Sequence, residues 1–477
     1  MSRKAKITSA LLLTLAMCLS FAQIASADEP VEPVGITEAA VTKLLETPRG
    51  TSIPATMSFD FQVTSVSMNG GTEPADIADI PIIGVPDEAK APFGIVTISF
   101  DDYTEADPGA ATLTLYKESD SLFKIEKFLH AGVYEYRIKE LPETYSGANS
   151  SLTEKMTWSE AEYTVKVFVR EYEDDDELVK TGKAKAGDRY FFGISAIRTK
   201  TDDGISDGNG KVNPTPGSGG EGEGNEWAYS QMIFTNTYVK TNGPADPTNG
   251  EYTLAVGKTV ANDPEGGAGF ASQHKYFRYS MTVSAPELAV KTLNTGSSLP
   301  DYQGYVIDVD GTVVGESDLQ NENMNNVASA SVANETYGDY IVFTPGSMVE
   351  FSLKHGQKLY LSNVHVGAYY TIEENGAAGY IASARVTRGG VNDGTETASD
   401  SGMKLAIPHH GNKNLSSVLY VGDGDNRADF VNTFKAEVPA GLNLNDLPFY
   451  VLILLAATLL AAFIVLKSMK KRRTGYR

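Results

Sequence analysis

The chain has 477 residues, a formal net charge of −21 and one cysteine. This length excludes a single small module and is enough for two or three domains, each with its own core. Acidic residues number 61 against 40 basic ones. Most of the basic clusters lie at the two ends of the chain, so the charge of the body excludes nucleic-acid binding as the expected function.

The first 27 residues are predicted to be a secretory signal peptide. Arg3 and Lys4 give a basic start, an apolar run follows to about Ile24, and the small residues 25–27 stand just before Asp28. Cleavage is expected after this small-residue triplet. The body of the protein is therefore expected to be exported.

The only cysteine lies inside this peptide. Cys18 is either an apolar filler or a site of lipid attachment, and the preceding Met17 disfavours lipid attachment. The mature protein would then contain no cysteine, although an exported protein is free to use disulfides. This excludes a cysteine nucleophile, a zinc-thiolate site and a thioester adhesin, so stability must come from another source.

Strand-type alternation dominates the exported body. Runs rich in Val, Ile, Tyr, Phe and Thr are bounded by Gly, Pro, Asn and Asp, a pattern typical of antiparallel sandwiches, and no long amphipathic helix competes with it. The runs are SFDFQV, FGIVTISF, ATLTLY, VYEYRI, EYTVKVFV, KYFRYSMTV, YIVFT and LYLSNV. We therefore predict an all-β fold.

Two stretches rich in Gly, Pro, Asn and Asp divide this body. VKTNGPADPTNGEY, at residues 239–252, predicts a linker between two domains. We place the first β-sandwich domain at residues 33–240, the linker at 241–249 and the second β-sandwich domain at 250–436. The other stretch, residues 202–226, has almost no apolar residue and predicts a mobile loop inside the first domain.

The two domains repeat three short motifs. Each motif places one polar residue in an apolar strand: a lysine in the first strand, a glutamate in a middle strand and an asparagine in the last. Because side chains alternate between the two faces of a strand, the apolar residues two positions away predict that all six polar side chains point into the core. The motifs are AVTKLL (Lys43) and LAVGKTV (Lys258), GVYEYRIKE (Glu140) and GAYYTIEE (Glu374), and FTNTY (Asn236) and FVNTF (Asn432).

Burial of these groups indicates a specific chemistry. Burial lowers the pKa of an amine and raises that of a carboxyl group, so the neutral forms are favoured. A neutral amine is a nucleophile, and a neutral acid can hydrogen-bond the asparagine carboxamide, polarise its carbonyl and relay protons. The lysine nitrogen would attack the asparagine side-chain carbon and expel ammonia, with Glu140 and Glu374 as the promoting acids. The product is an amide that links the first strand of a domain to the last.

A purely structural interpretation competes with this one. Lys43 and Lys258 would then reach solvent, the glutamates would end their strands, and the asparagines would bond the backbone in turns. For any single residue of this kind, that interpretation is the more common one. The match of six positions in two domains, all on the core face, favours the crosslink.

These motifs resemble the isopeptide-linked domains of Gram-positive pilins and surface proteins. The first domain is similar to the streptococcal pilin isopeptide-linkage family, through VTKLLETPRGTSIPATMSFDFQV, GVYEYRIKE, EYTVKVFV and IFTNTY. The second is similar to a related pilin-like repeat, through LAVGKTV, FSLKHGQKLYLSNVHVGAYYTIEE and DFVNTF. The resemblance implies immunoglobulin-like β-sandwiches with self-formed Lys-Asn bonds. It groups Lys43 with Asn236 and Glu140, and Lys258 with Asn432 and Glu374.

The C-terminus resembles a sortase sorting signal. A spacer at residues 437–446 precedes an apolar segment at 447–466, which is long enough to form a transmembrane helix. The basic tail at 467–477 is expected to stay in the cytoplasm by the positive-inside rule. The protein is therefore expected at the cell surface, anchored to the cell wall or the plasma membrane by its C-terminus.

The sorting-like motif itself departs from the family pattern. It consists of Val438, Pro439, Ala440 and Gly441, and Ala440 stands where the family carries the threonine whose carbonyl is transferred. Two outcomes stay open: a sortase attaches the protein to the wall or to the next pilin, or the protein remains a membrane-anchored stalk.

Other motifs point to no additional chemistry. DVDG at Asp308 and GDGDN at Gly422 lack the closing glutamate of a calcium loop, so turn chemistry is expected there. His409 and His410 have no partner ligands at metal spacing. The sequence contains no HExxH motif or phosphate loop. We therefore expect no metal, no cofactor and no enzymatic action on other molecules.

Two functions fit these features. The first is a cell-surface structural protein, either a pilus subunit or an adhesin stalk, with a sortase and other pilin subunits as partners. The alternative is a membrane-anchored adhesin whose loops bind a host or matrix ligand. The sequence lacks a lysine in the tyrosine-proline context that is typical of polymerising pilins. This makes the hypothesis of a polymerised pilus backbone less favoured. A secreted enzyme is a third function, and no catalytic constellation supports it.

Overall fold

The computed structural model describes residues 35–86, 92–106, 109–142, 144–145, 154–217, 229–241, 246, 254–263, 269–293, 299–324, 331–408, 419–435 and 447–473. The predicted signal peptide, the VPAG motif, His409, His410 and most of the predicted linker lie outside these residues. The chain divides into two compact units between Lys240 and Thr241. Each unit is described by itself.

Unit 1 is built mainly of β-strands. Its helical segments are short: α1 (Pro74–Ala78), a 3-10 turn (Ile125–Lys127) and α2 (Glu177–Lys180). The strands are β1 (Thr42–Pro48), β2 (Ser58–Met68), β3 (Val85–Pro86), β4 (Phe93–Ser99), β5 (Thr104–Glu105), β6 (Thr112–Glu118), β7 (Gly132–Leu141), β8 (Glu154–Thr157), β9 (Glu162–Glu171), β10 (Arg189–Lys200), β11 (Ser206–Val212) and β12 (Ile233–Lys240).

Two sheets enclose the core of unit 1. One has the strand order β5-β6-β1-β12-β8, and the other has the order β11-β10-β9-β7-β2-β4-β3. The first and last strands, β1 and β12, are parallel neighbours. Strict alternation along β2 turns Phe59, Phe61 and Val63 inward, where they join a core with aromatic residues of the other sheet such as Phe234.

One predicted loop of unit 1 is partly wrong. The segment 202–226 was expected to be mobile because it has almost no apolar residue, yet β11 lies within it and pairs with the edge of β10. An edge strand is held by backbone hydrogen bonds, which need no apolar side chain. Residues 218–226 of that segment lie outside the described part of the chain.

Unit 2 is also mainly β. Its helical segments are α3 (Glu287–Leu293), α4 (Glu316–Asp318) and a π-helical turn (Leu319–Asn323) that continues α4. Its strands are β13 (Leu254–Asn262), β14 (Phe277–Ser284), β15 (Tyr302–Ile307), β16 (Val332–Glu335), β17 (Gly338–Phe343), β18 (Met348–Leu353), β19 (Lys358–Ser362), β20 (Tyr369–Glu374), β21 (Tyr380–Arg388), β22 (Val391–Thr397), β23 (Leu405–Ile407), β24 (Leu419–Tyr420) and β25 (Arg427–Phe434).

Unit 2 repeats the arrangement of a first strand beside a last one. Its larger sheet has the order β16-β17-β15-β19-β13-β25-β21-β22, and β13 and β25 are parallel. The second sheet has the order β18-β14-β20-β23, with β24 also paired to β20. The core between the sheets contains Val256, Tyr279, Ile372 and Phe430. The prediction of an all-β fold is confirmed in both units.

One long helix lies near the C-terminal end of unit 2, among the described residues. This helix, α5, spans Leu447–Arg473, and its stretch Phe449–Met469 is the one described helical segment long and apolar enough to cross a membrane. The stretch is exposed along its whole length. The predicted C-terminal apolar helix is confirmed. It extends past Leu466 because lysine and arginine are good helix formers.

Candidate functional site

The lysine and the asparagine of unit 1 lie on neighbouring parallel strands. In the register of β1 with β12, Lys43 stands beside Phe234, and Leu45 stands beside Asn236. Residues two apart on a strand share a face. Lys43 and Asn236 therefore point to the same side of the sheet, offset by two positions.

Unit 2 has the same register between its first and last strands. Lys258 of β13 stands beside Phe430 of β25, and Val260 stands beside Asn432. The offset between lysine and asparagine is again two positions. The strand pairing thus repeats the same relation in both units.

The glutamates come from the facing sheets. Glu140, on β7, pairs with Phe61 of β2, and Glu374, on β20, pairs with Tyr279 of β14. Each glutamate therefore reaches its lysine and asparagine across the core, from the opposite layer.

All six polar side chains are buried, as the alternation of the sequence predicts. None of these residues is more than 5% exposed. Most of their apolar neighbours two positions away are buried as well, and Phe434, two positions after Asn432, is half-buried. The buried set is Lys43, Glu140, Asn236, Lys258, Glu374 and Asn432.

In unit 1, the carboxylate of Glu140 binds both other members of the triad. The Nζ atom of Lys43 lies 2.8 and 3.0 Å from its two oxygens, and Asn236 Nδ2 donates to Oε1 at 2.7 Å. On its other side, Asn236 Oδ1 accepts a hydrogen bond from the backbone N–H of Ser159 at 2.7 Å. These contacts fix the carboxamide by both its nitrogen and its oxygen.

Aromatic rings surround this triad. Nζ of Lys43 lies 4.6 Å from the ring centroid of Phe59. The ring of Phe234, directly beside the lysine in the strand register, packs against Phe61 at 4.9 Å and Tyr163 at 5.1 Å. The polar atoms of the site therefore lie in an apolar, water-excluded environment.

In unit 2, the carboxylate of Glu374 plays the same bridging part. Nζ of Lys258 lies 3.0 Å from each of its oxygens, and Asn432 Nδ2 donates to Oε1 at 2.5 Å. A third donor is present here, because the hydroxyl of Tyr279 donates to Oε2 at 3.3 Å. The ring of Phe277 lies 4.0 Å from Nζ.

The carbonyl oxygen of the second asparagine differs from that of the first. Oδ1 of Asn432 is buried and has no hydrogen-bond partner among the described residues. A buried acceptor without a donor costs free energy. Within the described part of unit 2, the second asparagine is therefore held through its amide nitrogen and not through its oxygen.

Burial shifts the acid-base properties of both pairs. It lowers the pKa of Lys43 and of Lys258 to about 8, although the neighbouring carboxylate opposes the shift. It also raises the pKa of Glu140 and of Glu374, against the influence of the lysines. In each pair, burial favours the neutral amine and the neutral acid.

This arrangement can transfer protons between the amine and the carboxamide. Each glutamate accepts from Nζ of the lysine and from Nδ2 of the asparagine, so one carboxyl group can take a proton from the first nitrogen and give it to the second. The sequence led us to expect the acid at the asparagine carbonyl. The structure instead places it at the amide nitrogen, and in unit 1 the carbonyl is bound by Ser159.

Sequence reasoning missed the Ser159 contact. Ser159 precedes β9 and contributes its backbone N–H, which nearly every residue type carries. No pattern of side chains could have identified it. The DVDG turn shows the expected turn chemistry, since Asp310 accepts from the backbone and hydroxyl of Thr312, and among the described residues no acidic, histidine or cysteine cluster could hold a metal.

Comparison with known families separates the two units. Residues 39–239 match the family described as a Spy0128-like isopeptide containing domain. Residues 252–401 match a domain of unknown function, DUF7601. The second match includes Lys258 and Glu374 and ends before Asn432. No curated protein matches this chain.

Among solved structures, the chain is similar to the major pilin from Streptococcus pyogenes, with 16% identity and a TM-score of 0.27 over 84% of this chain and 100% of the pilin. It is similar to the T-13 major pilin of the same organism, with 13% identity and a TM-score of 0.25 over 84% and 98% of the two chains. A third similar structure is the pilus-presented adhesin Spy0125 (Cpa), with 12% identity and a TM-score of 0.20 over 44% of this chain and 31% of the adhesin.

The family match covers the whole of the first triad, from β1, which carries Lys43, to β12, which carries Asn236. Over this range, unit 1 is similar to the family described as a Spy0128-like isopeptide containing domain.

Proposed function

We propose that this protein is a cell-surface structural protein, a pilus subunit or an adhesin stalk, stabilised by one self-formed Lys-Asn amide bond in each unit. One observation carries the proposal: the same buried lysine, glutamate and asparagine recur in the same strand register in two units. A buried ion pair is a poor source of stability by itself. Because the same buried Lys-Glu pair lies beside an asparagine carboxamide in both units, we infer that its role is to form the Lys-Asn amide bond.

The reaction balances within the triad of unit 1. A proton moves from Nζ of Lys43 to the carboxylate of Glu140, and the neutral amine attacks Cγ of Asn236. The acid then protonates the leaving Nδ2, the bond from Cγ to Nδ2 breaks, and ammonia departs. The new amide nitrogen returns its surplus proton to the carboxylate, so no outside reactant is needed. Lys258, Glu374 and Asn432 would react in the same way.

The product would join the first strand of each unit to the last. These strands are where tension along the chain enters and leaves a unit, so an amide between them should resist mechanical unfolding and proteolysis. The bond also restricts the unfolded chain much as a disulfide does. It would provide the covalent reinforcement that a mature protein without cysteine otherwise lacks.

The two ends of the chain fit a surface location. The predicted signal peptide would export the body, and α5 would hold the C-terminus in the membrane with its basic end in the cytoplasm. If a sortase accepts the VPAG motif in spite of Ala440, the protein would be transferred to the wall or to another pilin subunit. If it does not, the protein would remain a membrane-anchored stalk.

The alternative, an adhesin that binds a host or matrix ligand through its loops, shares the crosslinked scaffold. The two functions can be distinguished by the bands that the protein gives on a denaturing gel. Polymerised subunits give a ladder of high-mass species, whereas an adhesin gives a single species that binds matrix.

The crosslinks can be tested by intact mass. We expect the wild-type chain to be lighter than its processed sequence by two ammonia molecules. Glu140→Ala and Glu374→Ala should each restore one, after correction for the substitution, because each removes the carboxyl group that bridges the lysine and the asparagine of its triad.

Matched controls lie on the same strands. Glu135→Ala on β7 and Glu373→Ala on β20 remove glutamates that bind the surface lysines Lys166 and Lys404. Both controls should keep the full mass deficit. A wild-type mass equal to the plain processed sequence would overturn the crosslink proposal.

A further inference from the structure

We propose that Asp202 is a positioning residue for the bond in unit 1, holding the backbone N–H of Ser159 against the carbonyl oxygen of Asn236. This inference rests on the proposed crosslink and concerns how it forms. During the reaction, negative charge develops on the carbonyl oxygen of Asn236. The N–H of Ser159 would stabilise this charge, and none of the three reacting side chains donates a hydrogen bond to that oxygen.

Asp202 ties two segments of unit 1 together. Its Oδ1 atom accepts from the backbone N–H of Thr235 at 2.9 Å, and the hydroxyl of Ser159 donates to the same oxygen. Its backbone carbonyl accepts from the N–H of Glu160 at 2.9 Å. Asp202 therefore connects the segment before β9 to β12, at the residue just before Asn236.

The connection places a buried donor at the reacting group. Ser159 is 6% exposed, and its N–H lies 2.7 Å from Oδ1 of Asn236. Its hydroxyl oxygen also accepts from the N–H of Ala161 at 3.2 Å, which holds the turn that leads into β9. The donor is thus fixed from both sides before any reaction takes place.

The chemistry gives this donor a role beyond structure. When the amine attacks Cγ, the carbonyl electrons move to Oδ1, and the oxygen carries negative charge until ammonia leaves. A donor already aimed at that oxygen stabilises the intermediate without reorganisation. Loss of one such donor slows acyl transfer by about 10²- to 10³-fold in enzymes.

The charge of Asp202 has opposing effects on the two reacting partners, so its hydrogen bonds are the part expected to matter. The carboxylate raises the pKa of Lys43, which disfavours the neutral amine, and it raises the pKa of Glu140, which favours the neutral acid. Asparagine at this position keeps an oxygen acceptor for Ser159 and Thr235 without the charge. Asp202→Asn should therefore preserve the positioning, whereas Asp202→Ala should lose it.

Unit 2 supplies an internal reference. Oδ1 of Asn432 has no donor among the described residues, so no counterpart of Ser159 is found among them. We expect the bond between Lys43 and Asn236 to form faster than the bond between Lys258 and Asn432. A change in Asp202 should affect the first bond alone.

The test follows both bonds in one molecule. The full chain is synthesised without cells in the presence of lipid nanodiscs, quenched in denaturant at timed intervals and digested, and the two branched peptides are quantified by mass spectrometry. For Asp202→Ala we expect formation of the first bond to slow by about 10- to 100-fold, with the second bond unchanged. Asp202→Asn should restore the wild-type rate.

Ser159→Ala provides a second variant that keeps the donor. It removes the hydroxyl that binds Asp202 but retains the backbone N–H. We expect an intermediate slowing of the first bond. It also serves if Asp202→Ala does not fold, and the amide proton resonance of Ser159 reports whether its hydrogen bond persists.

Three results would overturn the inference. They are an unchanged first bond in folded Asp202→Ala, equal slowing of both bonds, and slowing in Asp202→Asn as large as in Asp202→Ala. If the wild type forms neither branched peptide, the proposed function fails instead, and the two failures are thereby distinguished.

Discussion

The two triads share their reacting groups and differ in what surrounds them. In both units a glutamate bridges a lysine and an asparagine that stand two positions apart on parallel strands. In unit 1 the asparagine oxygen has a donor, Ser159, and in unit 2 it has none among the described residues. In unit 2 the glutamate has an extra donor, Tyr279.

The strand register places the reacting groups, whereas the local sequence determines which hydrogen-bond donors surround them. Phe61 and Tyr279 occupy the same position, directly opposite the glutamate, and one hydroxyl distinguishes them. The register brings the three reacting groups together in both units. The donors around them differ, because Ser159 lies in a segment before β9 and Tyr279 stands where unit 1 has Phe61, so the two bonds are expected to form at different rates.

The largest expected effect is the loss of a crosslink from one unit. Asn236→Ala removes the electrophile of unit 1, and we expect the free energy of unfolding of that unit to fall by about 5 kcal/mol, as for a link closing a loop of more than a hundred residues. Hydrogen exchange with mass spectrometry would follow each unit separately. Asn432→Ala is the matched variant and should weaken unit 2 alone. Equal stability of the wild type and both variants would contradict the account.

A smaller effect is expected in the pH dependence of an unlinked unit. Burial lowers the pKa of the free Lys43 amine to about 8 in the folded unit, against an ordinary value of 10.5, and we expect the same direction of shift in Asn236→Ala. Between these values the unfolded state binds more protons, so the free energy of unfolding should rise with pH by up to about 1.4 kcal/mol per unit.

The wild type should lack this rise, because its lysine nitrogen is part of an amide and does not titrate. A triple variant with Lys43→Met, Glu140→Gln and Asn236→Ala removes the pair and serves as the control for all other groups. Denaturant unfolding at several pH values between 8 and 10.5 provides the measurement. The same slope in all three proteins would show that the buried lysine does not cause it.

The smallest expected effect comes from the hydroxyl of Tyr279. Its hydrogen bond favours the charged form of Glu374, so Tyr279→Phe should raise the pKa of that carboxyl further. We expect the rate of the second bond to change by a few-fold, corresponding to about 1 kcal/mol, with the first bond unaffected. Phe61→Tyr is the reciprocal exchange. Timed quantification of the branched peptides would detect either change, and an effect of Tyr279→Phe on both bonds would count against a local role.

The sequence allows the core of each triad to be predicted, because strand alternation is a strong constraint. Once Phe234 and Tyr238 are assigned to the core, Asn236 between them must face the same way, and the structure buries all three. The same reasoning holds for Lys258 between Val256 and Val260. The orientation of these side chains follows from the alternation of faces along a strand and from the free-energy cost of exposing their apolar neighbours to water.

Other features could not be predicted for equally physical reasons. The N–H of Ser159 carries no signature of residue type, and Asp202 lies in a segment so rich in glycine and polar residues that a mobile loop was expected there. That segment is ordered by backbone pairing of β11 and by the hydrogen bonds of Asp202, which are long-range contacts. Local composition does not encode such contacts.

The most direct test of the account is the identification of branched peptides in a digest of the wild-type protein. The account predicts one peptide pair joined through Lys43 and Asn236 and another joined through Lys258 and Asn432, each lighter than the sum of its parts by one ammonia molecule. Recovery of all four residues in linear peptides of unaltered mass would contradict it.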